Sequence, residues 1–230
     1  SLASASVAYG GPTLTASDAP LNTKAANLVI SPSYFDAGSY KTIPDWRVGG
    51  NSLAVLNMPF EAHAATSTTA LDYSQSGFNG TATNGPTFST SSGRDGFGAY
   101  TFDGANDYIS VTHRASLALT NNFTVTGWVK RSVGSSGWDG FITKATYSAA
   151  ATTGWGITYD GTTARYAGFV ACNGSVAVIP ADTGTASSTD YAWRHVALKV
   201  DSGTAYFYVD GVQQKYHSDQ QICDSGSAVM

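Results

Sequence analysis

Glu61 is the only glutamate among the sixteen acidic residues of this 230-residue chain; all the others are aspartates. Two-carboxylate sugar hydrolysis needs a nucleophile and an acid about 5 Å apart. Asp103 and Asp107 are the closest acidic spacing near a predicted strand end, but a turn explains them more simply. His63, His113, His195 and His217 are scattered, none within an HExxH or GxSxG context. His195 alternates onto the polar side of its strand and reads as a solvated or hydrogen-bonded sheet residue. Gly134–Gly137 lacks the lysine of a phosphate-binding loop. No catalytic constellation emerges, and the expectation is a protein that is not an enzyme.

Other residues suit binding or modification. Cys172 and Cys223 are the only cysteines, with no CxxC pair and no histidine cluster. Two readings stay open: buried thiols, or one disulfide closing a loop of about 50 residues, which favours an oxidising compartment. Sugar recognition needs aromatic platforms beside polar groups. Trp138, Tyr147, Trp155 and Tyr159 lie in or beside Gly/Ser-rich segments and are the candidate carbohydrate-binding residues. Sequons stand at Asn79, Asn122 and Asn173, each in or beside a predicted turn, so all three are candidate glycosylation sites.

These residues need a scaffold, and composition limits which one. Only 12% of residues are charged, about half the usual share, whereas Gly is abundant. Helix surfaces clothed in Lys and Glu are therefore not expected. The formal net charge of −4 argues against binding nucleic acid by neutralising phosphates. Aromatics at 12% argue against disorder. No apolar run approaches the roughly 18 residues of a membrane span.

From Asp72 onward, short alternating segments are separated by Gly, Asn, Asp and Ser. Expected strands are Gly98–Phe102, Tyr108–Thr112, Phe123–Lys130, Gly140–Lys144, Gly154–Tyr159, Arg165–Cys172, Val176–Ile179, Arg194–Val200 and Ala205–Val209. In Phe123–Lys130, Phe123, Val125, Gly127 and Val129 share one face; Thr124, Thr126, Trp128 and Lys130 share the other. Such alternation marks sheets with one buried and one wet face. Asp160-Gly161 and Asp210-Gly211 are tight-turn signals. Upstream, Ala26–Ser31 and Tyr40–Val48 are weaker candidates, followed by a more apolar run, Ser52–Phe60, which Pro59 would end or place at an edge. A short turn is expected around Ala115–Leu119, and Ser1–Pro20 reads as a polar arm. The fold class is all-β, an antiparallel sandwich.

The segment FDGANDYISVTHRASLALTNNFTVTGWVKR (Phe102–Arg131) resembles the laminin G-like jelly roll of the concanavalin A-like lectin/glucanase superfamily. DYSQSGFNG (Asp72–Gly80) is similar to that family's opening loop. Ala99–Ile109, Phe123–Lys130, Trp193–Leu198 and Phe207–Gly211 match its later blocks in order. The resemblance covers about Leu56 to Met230, and Ile43–Glu61 is similar to lead-ins found in modular microbial surface proteins. It implies a concanavalin A-like jelly roll over 51–230. Residues 1–50 would form an N-terminal arm and a small β-rich, Ig-like extension. The family's glucanases carry an E-x-D-x-x-E strand, which a single glutamate outside the matching blocks cannot supply.

Family members commonly hold a structural calcium at a loop rim, which wants about six to eight oxygens. Asp72, Asn79, Asp103 and Asp107 are the expected ligands, with Ser74 beside them. After Phe207–Gly211 the family continues with two more strands. Here one is expected to be missing and another cut short at Ser227–Met230, leaving an edge open to strand addition. The resulting expectation is a non-catalytic extracellular or cell-surface adhesion module. Its expected partners are glycans or surface proteins. The alternative is a structural subunit of a filament, sheath or virion, assembling with copies of itself by strand exchange through the arm.

Overall fold

The structure is a computed structural model that describes residues 28–36, 41–48, 51–61, 68–131, 137–147, 152–181 and 191–230. The Ser1–Pro20 arm and His63 lie outside the described residues. Strands β1 (Leu28–Asp36), β2 (Lys41–Val48) and β3 (Asn51–Ser52) pair antiparallel as a three-stranded sheet of their own. The apolar Ser52–Phe60 run joins that sheet only at Ser52. It then sends Leu56 and Met58 against the main core.

Two four-stranded antiparallel sheets make the sandwich. One orders β10 (Trp138–Thr146), β11 (Thr153–Asp160), β12 (Arg165–Cys172) and β13 (Ser175–Pro180). The other orders β16 (Val212–His217), β15 (Thr204–Val209), β14 (Arg194–Asp201) and β9 (Phe123–Val129). Smaller sheets join β4 (Thr69–Ala70), β5 (Gly80–Thr83) and β8 (Tyr108–Ser110), and β6 (Thr87–Ser89) with β7 (Ala99–Thr101). A 3-10 turn, Ala115–Leu117, buries Leu117 where a turn was expected.

Alternation explains the core. Trp155, Ile157, Tyr159, Tyr166, Val170 and Ile179 from one sheet meet Phe123, Val196, Leu198, Val200, Phe207 and Val209 from the other. At Gly168 a Cβ would stand 3.0 Å from both Leu198 and Phe207, so glycine there lets the sheets approach closely. Asp210-Gly211 forms the expected two-residue turn with both φ positive, as do Asn173-Gly174 and Ser202-Gly203. Asp160-Gly161 does not. That hairpin closes through four residues, and the Asp160 carboxylate accepts from Thr162 N–H and Thr163 Oγ1.

The last residues fill a sheet position. Val229 pairs with Val111, just after β8, and Met230 exchanges two backbone hydrogen bonds with Thr143 of β10. The C-terminal segment thereby links the β4–β5–β8 sheet to the β10–β13 sheet. The disulfide reading also holds: Cys172, ending β12, is bonded to Cys223, and Cys223 N–H donates to Ala171 O.

Candidate functional site

Four strands direct an aromatic and polar face outward from the β16–β15–β14–β9 sheet. Since Val196, Leu198 and Val200 point into the core, His195, Ala197 and Lys199 must point out. The same argument places Thr124, Thr126 and Trp128 of β9 and Tyr206 and Tyr208 of β15 on that face. Register then aligns them in rows. Thr124, Lys199, Tyr206 and Tyr216 form one row; Thr126, Ala197, Tyr208 and Gln213 form the next; Trp128 faces His195. Four strands span roughly 14 Å, about the footprint of a short oligosaccharide.

The face is ordered by its own contacts. Tyr206 and Tyr216 lie 5.8 Å apart, ring centre to ring centre. Trp128 and His195 are at 5.2 Å, and His195 Nε2 is hydrogen-bonded to Thr126 Oγ1 at 2.7 Å. Tyr208 Oη donates to Gln213 Oε1. The Arg94 guanidinium sits 3.9 Å over the Trp128 ring, which nevertheless stays 45% exposed. Ala197, small and central, leaves a flat object room to settle between the rings.

A shallow cleft of about 290 Å³ adjoins this face, lined by Asn122, Phe123, Thr124, Lys199, Val200 and Asp201. Lys199 Nζ donates to Asp201 Oδ2 at 2.9 Å. That bond raises the lysine's pKa and lowers the aspartate's, so both stay ionised around neutral pH. The cleft therefore offers both signs of charge beside the Tyr206–Tyr216 pair.

The residues expected to bind sugar are placed differently. Trp155 and Tyr159 are core residues, each 3% exposed, because β11 turns them inward with Ile157 and keeps Gly154, Gly156 and Thr158 on its other side. Trp155 packs on Phe123, and Tyr159 lies under the Arg131 guanidinium. Neither is a platform. Trp138 and Tyr147 are exposed but flank opposite ends of nine-residue β10, about 30 Å apart. One small ligand cannot span both.

The four expected calcium ligands are likewise separated. Ala70 pairs with Gly80, and Thr83 with Tyr108, so the Asp72–Asn79 loop and the Asp103–Asp107 loop lie at opposite ends of β5. Both Asp72 oxygens accept hydrogen bonds from the chain itself: from Asn57 N–H, Ser74 N–H, Ser74 Oγ and Phe78 N–H. Asn79 Oδ1 accepts from Asp72 N–H. Asp103 Oδ1 accepts from Ala105 and Asn106, and Asp107 Oδ2 from Asp103 N–H. These are Asx-type loop closures. Among the described residues, no three His, Cys, Asp or Glu side chains cluster as a metal site.

Glu61 is 2% exposed and accepts from Gly98 N–H, a structural use. Asn79, Asn122 and Asn173 are all exposed. No helix among the described residues is long and apolar enough to cross a membrane. Sequence reading missed Trp128, Tyr206, Tyr208 and Tyr216 as a group. The available signal was a tryptophan on the polar side of a clean alternation.

Fold and face together define an all-β sandwich of the concanavalin A-like class. The laminin G-type family model of the Concanavalin A-like lectin/glucanases superfamily matches residues 103–228, and the chain belongs to that family. Among solved structures it resembles the binding domain of Paraclostridial Mosquitocidal Protein 1, with 16% identity and a TM-score of 0.55. The match covers 75% of this chain and 43% of that one, so the chain spans less than half its length. No curated protein matches the sequence.

Proposed function

We propose that this is an extracellular, non-catalytic recognition module that binds glycans on the outer face of the β16–β15–β14–β9 sheet. The observation that carries the reading is the convergence of Trp128, Tyr206, Tyr208 and Tyr216 on one face, beside the Lys199–Asp201 cleft. Aromatic rings stack on the apolar faces of sugars, while Lys, Asp, Thr and Gln meet the hydroxyls. Membership of a superfamily that includes lectins supports it. So does the likeness to a structure titled a binding domain. The disulfide suits an oxidising, extracellular setting.

Glycan-array binding followed by titration tests the reading. Trp128→Ala, Tyr206→Ala and Tyr216→Ala are each expected to weaken binding about tenfold, roughly 1.4 kcal/mol, with little change in stability because they are surface positions. Trp138→Ala and Tyr147→Ala should bind as the parent does. Undiminished binding by the Trp128/Tyr206/Tyr216 triple variant would overturn the assignment.

The sequons carry a related expectation. Expressed in a host that N-glycosylates, the chain should gain glycan mass at Asn79, Asn122 and Asn173. Asn122 lines the cleft, so a glycan there should reduce binding and Asn122→Gln should restore it. Unaltered intact mass would remove all three sites.

A further inference from the structure

Lys144 is the largest fully buried side chain described, 1% exposed, on the inward side of β10 opposite Trp155. Its Nζ is in contact with Asp224 Oδ1. The other Asp224 oxygen faces His113 Nε2 at 3.7 Å, and His113 Nδ1 is buried without a hydrogen-bond partner. We propose that Lys144 and Asp224 condense into an intramolecular amide, an isopeptide cross-link between β10 and the C-terminal segment, with His113 as the proton carrier.

Three features favour condensation over a lasting ion pair. The two groups are held in contact by the rest of the fold. Lys144 is flanked by Thr143, which exchanges hydrogen bonds with Met230, and Asp224 follows the disulfide-bonded Cys223. Such positioning is equivalent to effective concentrations of about 10⁵ M or more, enough to drive a condensation that water would otherwise reverse. Holding two charges at a largely buried site carries a desolvation cost, whereas an amide has no charge to desolvate. Finally, Asp224 and His113 keep about a third or less of their side-chain surface open, 27% and 34%, which gives the released water a way out.

The chemistry balances without an outside reagent. A proton passes from the Lys144 ammonium to Asp224 and comes to rest on Oδ2, leaving a neutral amine and a neutral acid, so that the later proton from His113 makes that oxygen a departing water. The Nζ lone pair attacks Cγ. As the Cγ–Oδ2 bond breaks, His113 Nε2 delivers a proton to Oδ2 and is reprotonated from Nζ. An ammonium and a carboxylate become an amide and one water, and two ammonium protons leave with the oxygen. The hydrogen bond of the Gly226 backbone N–H to Asp224 helps fix the carboxyl while it reacts.

Intact mass of the purified chain, reduced and denatured, decides it. The expected mass is below that of the sequence by one water, about 18 Da, and a protease digest should contain one branched peptide joining Lys144 to Asp224. Lys144→Arg and Asp224→Ala should both show full mass, a readout that does not require either to fold. His113→Ala should give a mixture of linked and unlinked chains shortly after synthesis. Full mass in the parent would overturn the proposal. So would an 18 Da loss that persists in Lys144→Arg, which would mean dehydration at Asp224 alone.

Discussion

Serine at both positions 172 and 223 is expected to lower the unfolding free energy by about 4 kcal/mol. The bond joins residues 51 apart in sequence, so breaking it returns a large closed loop's worth of freedom to the unfolded chain. The native state is touched less, because Cys172 ends β12 and stays paired to Ser175 through the Asn173-Gly174 turn. The cost concentrates on the C-terminal segment. That segment is held otherwise by Ile222 and Val229 in the core, by Val111 and Thr143, and by Lys144. For a domain of this size the midpoint should fall by about 10 °C. Urea unfolding checks it, with and without reductant: reducing the parent should reproduce the double variant. If the Lys144–Asp224 amide is present, the shortest covalent route between the two cysteines falls to roughly 30 residues. The expected loss then shrinks to about 3.5 kcal/mol. A loss under 1 kcal/mol would show that the bridge does not restrain the chain in this way.

The fold was legible where one face of a strand is wet. In β9 and β14 every second residue is apolar, and the core takes those residues as the alternation implies. β11 and β12 are buried on both faces, so alternation cannot tell which side carries the core. The Gly/Ser-rich surroundings that marked Trp155 and Tyr159 as platforms do not say which side they face either. β16 escaped notice because VQQKYH shows no apolar alternation and is exposed at all but one position, and without it Tyr216 has no visible neighbour. The aromatic face proposed for binding depends on register, which places Tyr206 opposite Tyr216 and Lys199 opposite Tyr206; neither pairing can be read from local pattern. Register also separates Asp72 from Asp103. Lys144 is the extreme case: a lysine in a strand reads as exposed, and only Asp224, 80 residues later, explains its burial. Cys172 and Cys223 left two readings, and chain geometry rather than composition chose between them.

Replacing Asp72 by alanine is expected to cost about 3–4 kcal/mol, because one carboxylate closes the loop that carries Phe78 into the core. Its four acceptor positions are all used. Oδ1 takes Asn57 N–H at 2.8 Å and Ser74 N–H at 2.9 Å; Oδ2 takes Ser74 Oγ at 2.7 Å and Phe78 N–H at 2.8 Å. These donors belong to two segments, the Leu56–Met58 stretch and the 72–79 loop, which also meet through Tyr73 N–H to Asn57 O. Leu56, Met58 and Phe78 all pack on the main core, so loosening the tie affects burial as well as hydrogen bonding. Alanine leaves three backbone donors and a hydroxyl without their acceptor. Asparagine keeps one accepting oxygen but points an NH₂ at donors, and should cost about 2 kcal/mol. Urea unfolding gives the size of the effect, and limited proteolysis between residues 72 and 79 locates it, with cutting expected in Asp72→Ala before global unfolding. The same pair of variants weighs calcium against loop closure. Closure by hydrogen bonds predicts a parent melting temperature that chelator and added calcium leave unchanged. A calcium-dependent rise lost in Asp72→Asn would mean that the carboxylate turns from the chain's own donors to an ion.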